Sequence, residues 1–179
     1  MFDNFSKTEL TVLNYFLNNS DKEFHLREIA RKLKISSSTS KTAIDSLCKK
    51  DLVKEKKLAN LRLFRCNTDN LIVKQLRITK NLQWLKEKKL IKKIKEELNP
   101  SSIVLFGSFA KGTNTEKSDL DILVITNRKD NLKEHFIDNY EMQIITMKAA
   151  EWAKKGEKKD PFYYEIIVDG IVLYGRMPL

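Results

Sequence analysis

Two pairs of residues in the stretch LFGSFAKGTNTEKSDLDILV, residues 105–124, could do chemistry together. Gly107 and Ser108 close an apolar run. Glycine lets the backbone come close to a ligand, and amide groups at the start of a following helix attract phosphate oxygens. The Ser108 hydroxyl can add one hydrogen bond. Ten residues later come Asp119 and Asp121. On a strand, side chains alternate, so both aspartates share one face while Leu120 and Ile122 point the other way. Carboxylates this close repel unless a cation lies between them. Mg2+ (or Mn2+) is the natural choice, because it takes hard oxygen ligands and completes its shell with substrate phosphates. Phosphates on Gly107-Ser108 and a divalent metal on the aspartates suit in-line attack on a nucleoside triphosphate.

The flanking elements must hold these groups in place. SSIVLFG reads as a short buried strand, SFAKG as the first turn of a helix, DLDILVI as a second strand and YEMQIIT (140–146) as a third. Between the last two, DNLKEHFID is expected to be a helix. TMKAAEWAKK is expected to be another, capped by Thr146, with Met147, Ala150 and Trp152 inward. DPFYYEIIVDG is a short helix with Pro161 in its first turn and Gly170 at its end. IVLYG closes the sheet. His25 and His135 lack a Cys or Asp partner at ligand spacing and read as surface or packing residues. Tyr163, Tyr164 and Tyr174 read as packing residues, with self-modification as an alternative for a tyrosine.

Gly-Ser, ten residues, then Asp-x-Asp, with apolar strands on both sides, resembles the signature of the polymerase-beta-like nucleotidyltransferase superfamily. GSFAKGTNTEKSDLDILV is similar to its minimal nucleotidyltransferase branch, over about residues 100–176. The resemblance implies that Gly107 and Ser108 bind the triphosphate, that Asp119 and Asp121 are catalytic and hold the metal, and that Lys111 helps with phosphates. Phe109 stands where many relatives carry arginine, which implies one phosphate contact fewer. Relatives place a third acid on the next strand, flanked by apolar residues. Here those flanks, Met142 and Ile144, put Gln143 in its place. Gln brings no charge and cannot act as a base. Glu141, two residues earlier on the same strand face, is the substitute catalytic acid; the other reading is a solvated edge-strand glutamate.

The net charge of +10 is unevenly spread: residues 1–67 carry +6, residues 68–99 carry +5 and residues 100–179 carry −1. A basic front half suggests a polyanionic partner, against the bland reading of lysines that merely solvate the surface. Cys48 and Cys66 show no CxxC spacing and read as plain thiols in a reducing compartment. KTELTVLNYFLNN predicts a helix with Leu10, Leu13, Phe16 and Leu17 on one stripe. HLREIARKL predicts a short amphipathic helix. KTAIDSLCKKDL predicts a third, with Ala43, Ile44 and Leu47 inward and Ser38, Lys41, Thr42 and Asp45 outward. LVKEKKLANLRLFRCN reads as a hairpin with a polar tip near 57–60.

Three short helices followed by a basic hairpin resemble a winged helix-turn-helix domain. The resemblance implies double-stranded DNA as partner and 37–49 as recognition helix, with Ser37, Ser38, Lys41 and Thr42 facing the major groove. Lys54, Lys56, Lys57, Arg62 and Arg65 on the wing would meet phosphates. Residues 70–98 read as one long helix or two abutting ones, with Leu71, Ile78, Leu82, Leu85, Ile91, Ile94 and Leu98 as stripe, stopped at Asn99-Pro100. That length also allows a homodimer.

The expected fold class is α+β: a winged helix over 1–68, a helical connector over 69–99 and a mixed-sheet nucleotidyltransferase over 100–179. The expected protein is cytoplasmic, without a signal peptide or membrane span. Its expected activity is transfer of a nucleoside monophosphate from an NTP, ATP first, to an acceptor hydroxyl. The resemblance extends to antitoxins that adenylylate a HEPN-type partner protein. One rival is a transcription regulator whose nucleotidyltransferase domain only senses a nucleotide or dimerises. Another is a transferase that holds its nucleic-acid acceptor on the winged helix.

Overall fold

Ser6 opens the first helix, α1 (Lys7–Asn18), through a reciprocal cap: its hydroxyl accepts the Glu9 amide at 3.1 Å, and its own amide donates to the Glu9 carboxylate at 2.6 Å. There follow β1 (Glu23–His25), α2 (Leu26–Leu33), α3 (Ser37–Lys49), β2 (Val53–Leu58) and β3 (Leu61–Cys66). The computed structural model describes residues 4–58, 61–128 and 136–179. It divides between Leu76 and Arg77 into two units.

In the first unit, β2 and β3 form the wing, and β1 pairs with β3, giving the antiparallel order β1-β3-β2. Helix, strand, two helices and a wing in this order are the topology of a winged helix-turn-helix. Val12, Phe16, Phe24, Ile29, Ile44, Leu47 and Phe64 form its core, each burial contributing roughly 2 kcal/mol. The α1 stripe is rotated from the expected one. Val12 is buried, whereas Leu10 is 38% exposed. The cause is Glu9, which faces inward and accepts the Ser46 hydroxyl at 2.5 Å and the Lys50 ammonium at 2.7 Å across to α3. Strand β1 was not expected; its three residues are too few to show a period. Cys48 is half-buried and Cys66 buried, and burial pushes the Cys48 thiol up to about 11.

Residues 69–99 form two helices, α4 (Leu71–Glu87) and α5 (Leu90–Leu98). Lys89 separates them in a left-handed conformation, φ 56°. Val73 and Leu76 pack in the first core and Leu82 and Leu85 in the second, so the stretch is shared between the units. Leu71, expected on the stripe, is 70% exposed.

The second unit continues with β4 (Ser102–Phe106), α6 (Gly107–Lys111), β5 (Leu120–Ile125), β6 (Phe136–Ile137), β7 (Tyr140–Met147), α7 (Ala149–Glu157), α8 (Pro161–Asp169) and β8 (Ile171–Gly175). The sheet order is β6-β7-β5-β4-β8. Among the described residues, only β5 and β7 run parallel. Leu105, Leu120, Ile122 and Val124 face a core with Leu85, Ile94, Leu98 and Phe109. Val104, Phe106, Leu123 and Ile125 face Trp152 of α7 and Ile166 of α8. The mixed α+β class expected from sequence is the one found.

Three local expectations are corrected. Phe136 and Ile137 are not helical but form the edge strand β6, because they pair with Glu141 and Tyr140; residues 129–135, His135 among them, lie outside the described ones. Met147 ends β7 instead of starting a helix, so Lys148, not Thr146, is the cap residue of α7. Ala150 is exposed, and Trp152 alone of the expected trio is fully buried. Among the described residues, no helix is long and apolar enough to cross a membrane.

Candidate active site and nucleic-acid interface

Gly107 sits at the junction of β4 and α6 with φ +65°, a conformation glycine adopts without steric cost. It is required there for a second reason. A Cβ at this position would overlap the Asp121 carboxylate oxygen Oδ2 and lie 3.0 Å from its Cγ. The motif glycine is thus the floor on which the second aspartate rests. Antiparallel register places Asp121 opposite Phe106, next to that glycine.

Asp121 is half-buried and Asp119 exposed. Burial raises the Asp121 pKa first, followed by the charges of Asp119 and Glu165. Asp121 lies on β5, whereas Asp119, expected on the same strand, immediately precedes it. Charged oxygen donors without a soft ligand fit a divalent cation such as Mg2+, with phosphate or water filling the remaining positions. Among the described residues, no three Asp, Glu, His or Cys side chains group as a metal site.

The parallel pairing of β5 with β7 sets Asp121 beside Gln143 and Leu120 beside Met142. Gln143 thus stands on the sheet face of Asp121. Its amide nitrogen donates to Glu141 at 3.4 Å, and both side chains are exposed. Glu141 lies on β7 between β6 and β5, so its strand is not the edge of the sheet.

Ser108 is half-buried at the first turn of α6, and its carbonyl accepts the Thr113 amide at 2.9 Å. Phe109 points into the core, 5.9 Å from the Trp84 ring and 5.0 Å from that of Tyr140. Position 109 therefore braces α6 against the core. Lys111 is already engaged. Its ammonium lies 2.9 Å from Glu165 Oε1 and 3.1 Å from Asp169 Oδ2, both on α8, and these contacts raise its pKa.

Two contributions escaped the sequence reading. The first is the α8 pair Glu165 and Asp169; the only local signal was their i, i+4 spacing. The second is the α4 pair Arg77 and Asn81. Asn81 Nδ2 donates to the Phe109 carbonyl at 2.9 Å and to Asn114 Oδ1 at 2.8 Å, and Arg77 donates to the Asn114 carbonyl. The loop joining the glycine turn to the aspartates is held by a helix some thirty residues earlier in the chain.

In the first unit, Ser36 caps α3, accepting the Thr39 amide at 3.0 Å. Ser37, Ser38, Lys41 and Thr42 are exposed together along its first turns. Thr42 donates its hydroxyl back to the Ser38 carbonyl. On the wing, Lys56 and Lys57 are exposed, with Lys56 3.6 Å from Glu23. Lys54 pairs with Asp69 at 2.5 Å. Arg62 is bound to Glu55 at 2.7 Å and to Asp45 of α3 at 2.8 Å, which holds its pKa above the usual arginine value. It ties the wing to α3, and its charge is offset by these two carboxylates.

The nucleotidyltransferase domain family matches residues 87–174. Two candidate protein adenylyltransferases of Methanocaldococcus jannaschii are similar. MJ0128 is 34% identical over 88 residues, 49% of this chain and 86% of the relative. MJ1215 is 38% identical over 73 residues, 39% of this chain and 85% of the relative. Among solved structures, a possible transcriptional regulator from Methanosarcina mazei Go1 gives TM-score 0.36 at 23% identity, covering 52% of this chain and 80% of that one. A ZitR variant of Lactococcus lactis in complex with DNA gives TM-score 0.37 at 19% identity, covering 49% and 60%. The winged helix is assigned from its own strand order.

Proposed function

The chain belongs to the nucleotidyltransferase domain family, and on that premise we propose that it transfers a nucleoside monophosphate from an NTP to a protein hydroxyl. ATP is the donor favoured by the names of the Methanocaldococcus relatives. One observation carries this reading: the Asp121 carboxylate rests on Gly107, with Asp119 beside it and Ser108 at the same turn. The acceptor hydroxyl attacks the α-phosphorus, an O–P bond forms and pyrophosphate leaves. Ser108 and the amides of its turn bind phosphate oxygens, and Lys111, paired with Glu165 and Asp169, offers them an N–H donor. Asp119 and Asp121 would hold Mg2+ or Mn2+, which supplies charge neutralisation at the phosphates. Glu141 is the carboxylate on the Asp121 face of β7 that can take the acceptor's proton. The exposed start of α3 and Lys57 on the wing offer a duplex DNA interface, which suits control of the protein's own operon. A HEPN-type toxin is the acceptor that the resemblance suggests.

Labelled ATP with Mg2+ tests the transfer. Label on an acceptor protein with wild type and none with Asp119→Ala is the expected result. Retained ATP binding without any Asp119-dependent label overturns it and leaves the second reading, a DNA-binding regulator that senses nucleotide. Gln143 in register with Asp121, where an acid is expected, favours that second reading.

A further inference from the structure

Lys111 is a long, flexible side chain at the end of a five-residue helix, yet its ammonium is fixed between two carboxylates of α8 at 2.9 and 3.1 Å. An ammonium has three N–H donors. Glu165 and Asp169 take two, and the third is left for an acceptor. Lys111 follows Gly107 and Ser108 by four and three residues, so on α6 all three share one helix face. Asp121 shares its face of β5 with Leu123 and Ile125, and these pack against Ile166 of α8, the helix that carries Glu165 and Asp169. The clamp therefore stands beside the aspartates, on the same side of the sheet.

We infer that Glu165 and Asp169 are positioning residues that hold the Lys111 ammonium, one N–H outward, as a preformed subsite for the triphosphate of the donor nucleotide. Preorganisation is the physical reason. A lysine recruited from a disordered rotamer loses its side-chain freedom when it binds phosphate, whereas a clamped one has already lost it. The paired acids also keep the local charge negative, so the subsite accepts a triphosphate together with its cation in preference to the bare anion. This inference rests on the nucleotide-binding reading above.

A double-mutant cycle on the full chain tests it, with MgATP affinity measured by titration calorimetry and folding checked by thermal unfolding. Lys111→Ala is expected to weaken MgATP binding about tenfold. Glu165→Gln with Asp169→Asn is expected to weaken it severalfold when Lys111 is present and to have no effect when position 111 is alanine. Glu165→Asp, which keeps the charge, is expected to recover part of the loss. If neutralising the acids tightens MgATP binding, the acids compete with phosphate for Lys111 and the inference fails. It fails equally if their effect is the same with and without Lys111. If wild type binds no MgATP at all, the nucleotide reading itself is overturned, a result distinct from either.

Discussion

Replacing Gly107 by alanine perturbs the site through two separable effects. The φ of +65° puts a Cβ in the left-handed region, at a cost of about 1–2 kcal/mol. The same Cβ overlaps Asp121 Oδ2, so the carboxylate must turn away from its preferred rotamer at a cost of about 0.5–1.5 kcal/mol. Alanine stabilises in one respect, because it restricts the unfolded chain by about 0.4–1 kcal/mol. The net loss is about 2 kcal/mol, which lowers the melting temperature of a unit this size by about 10 °C. Trp84 and Trp152 are the chain's only tryptophans, and both lie in the second unit. Their fluorescence therefore reports this transition without the winged helix. In an Asp121→Ala background the overlap disappears while the φ penalty remains, so Gly107→Ala should cost about 1 kcal/mol less there. Equal losses in the two backgrounds, or a loss below about 0.5 kcal/mol in the first, would refute the view that Gly107 is the seat of Asp121.

Three further outcomes are expected. Gln143→Glu adds a carboxylate in register with Asp121; it should increase the Mg2+-dependent rise in melting temperature and, where a base has been limiting, raise the transfer rate by about 10²-fold. Lys57→Ala should reduce the salt dependence of DNA binding by about 0.9 in log–log slope, whereas Arg62→Ala should reduce it less, since Glu55 and Asp45 already neutralise Arg62; equal slopes for the two variants refute the distinction. Glu9 is held down at about 2 by Lys50 first, then by Ser46 and Ser6. A carboxylate with a lowered folded pKa stabilises above its unfolded value and loses that contribution as pH falls. Hydrogen-exchange protection of α1 should therefore drop between about pH 4.5 and 2, and the drop should be smaller in Glu9→Gln.

Much of the site was legible because its grammar is local. Gly107-Ser108 and the apolar alternation from Leu120 through Asp121 are short-range patterns, and backbone geometry turns them directly into a helix start and a strand. The same holds for α3, whose bounds 37–49 match the expected recognition helix, and for α8 between Asp160 and Gly170. Periodicity misled where a polar group was inward or an element was very short. Glu9 rotated the α1 stripe by making ion-pair contacts with α3, and Phe136–Ile137 became strand through pairing with β7.

What composition and spacing determined by themselves was the chemistry on offer: two carboxylates, a Gly-Ser turn and a basic front half. Only the tertiary structure decided how those groups are spent. The parallel register of β5 and β7 set Gln143 beside Asp121. Packing against Trp84 and Tyr140 turned Phe109 inward, and α8 delivered Glu165 and Asp169 to Lys111. These partners lie some twenty to sixty residues apart in the chain. Their meeting depends on strand order, helix placement and burial summed over the whole unit, and no local pattern encodes that sum.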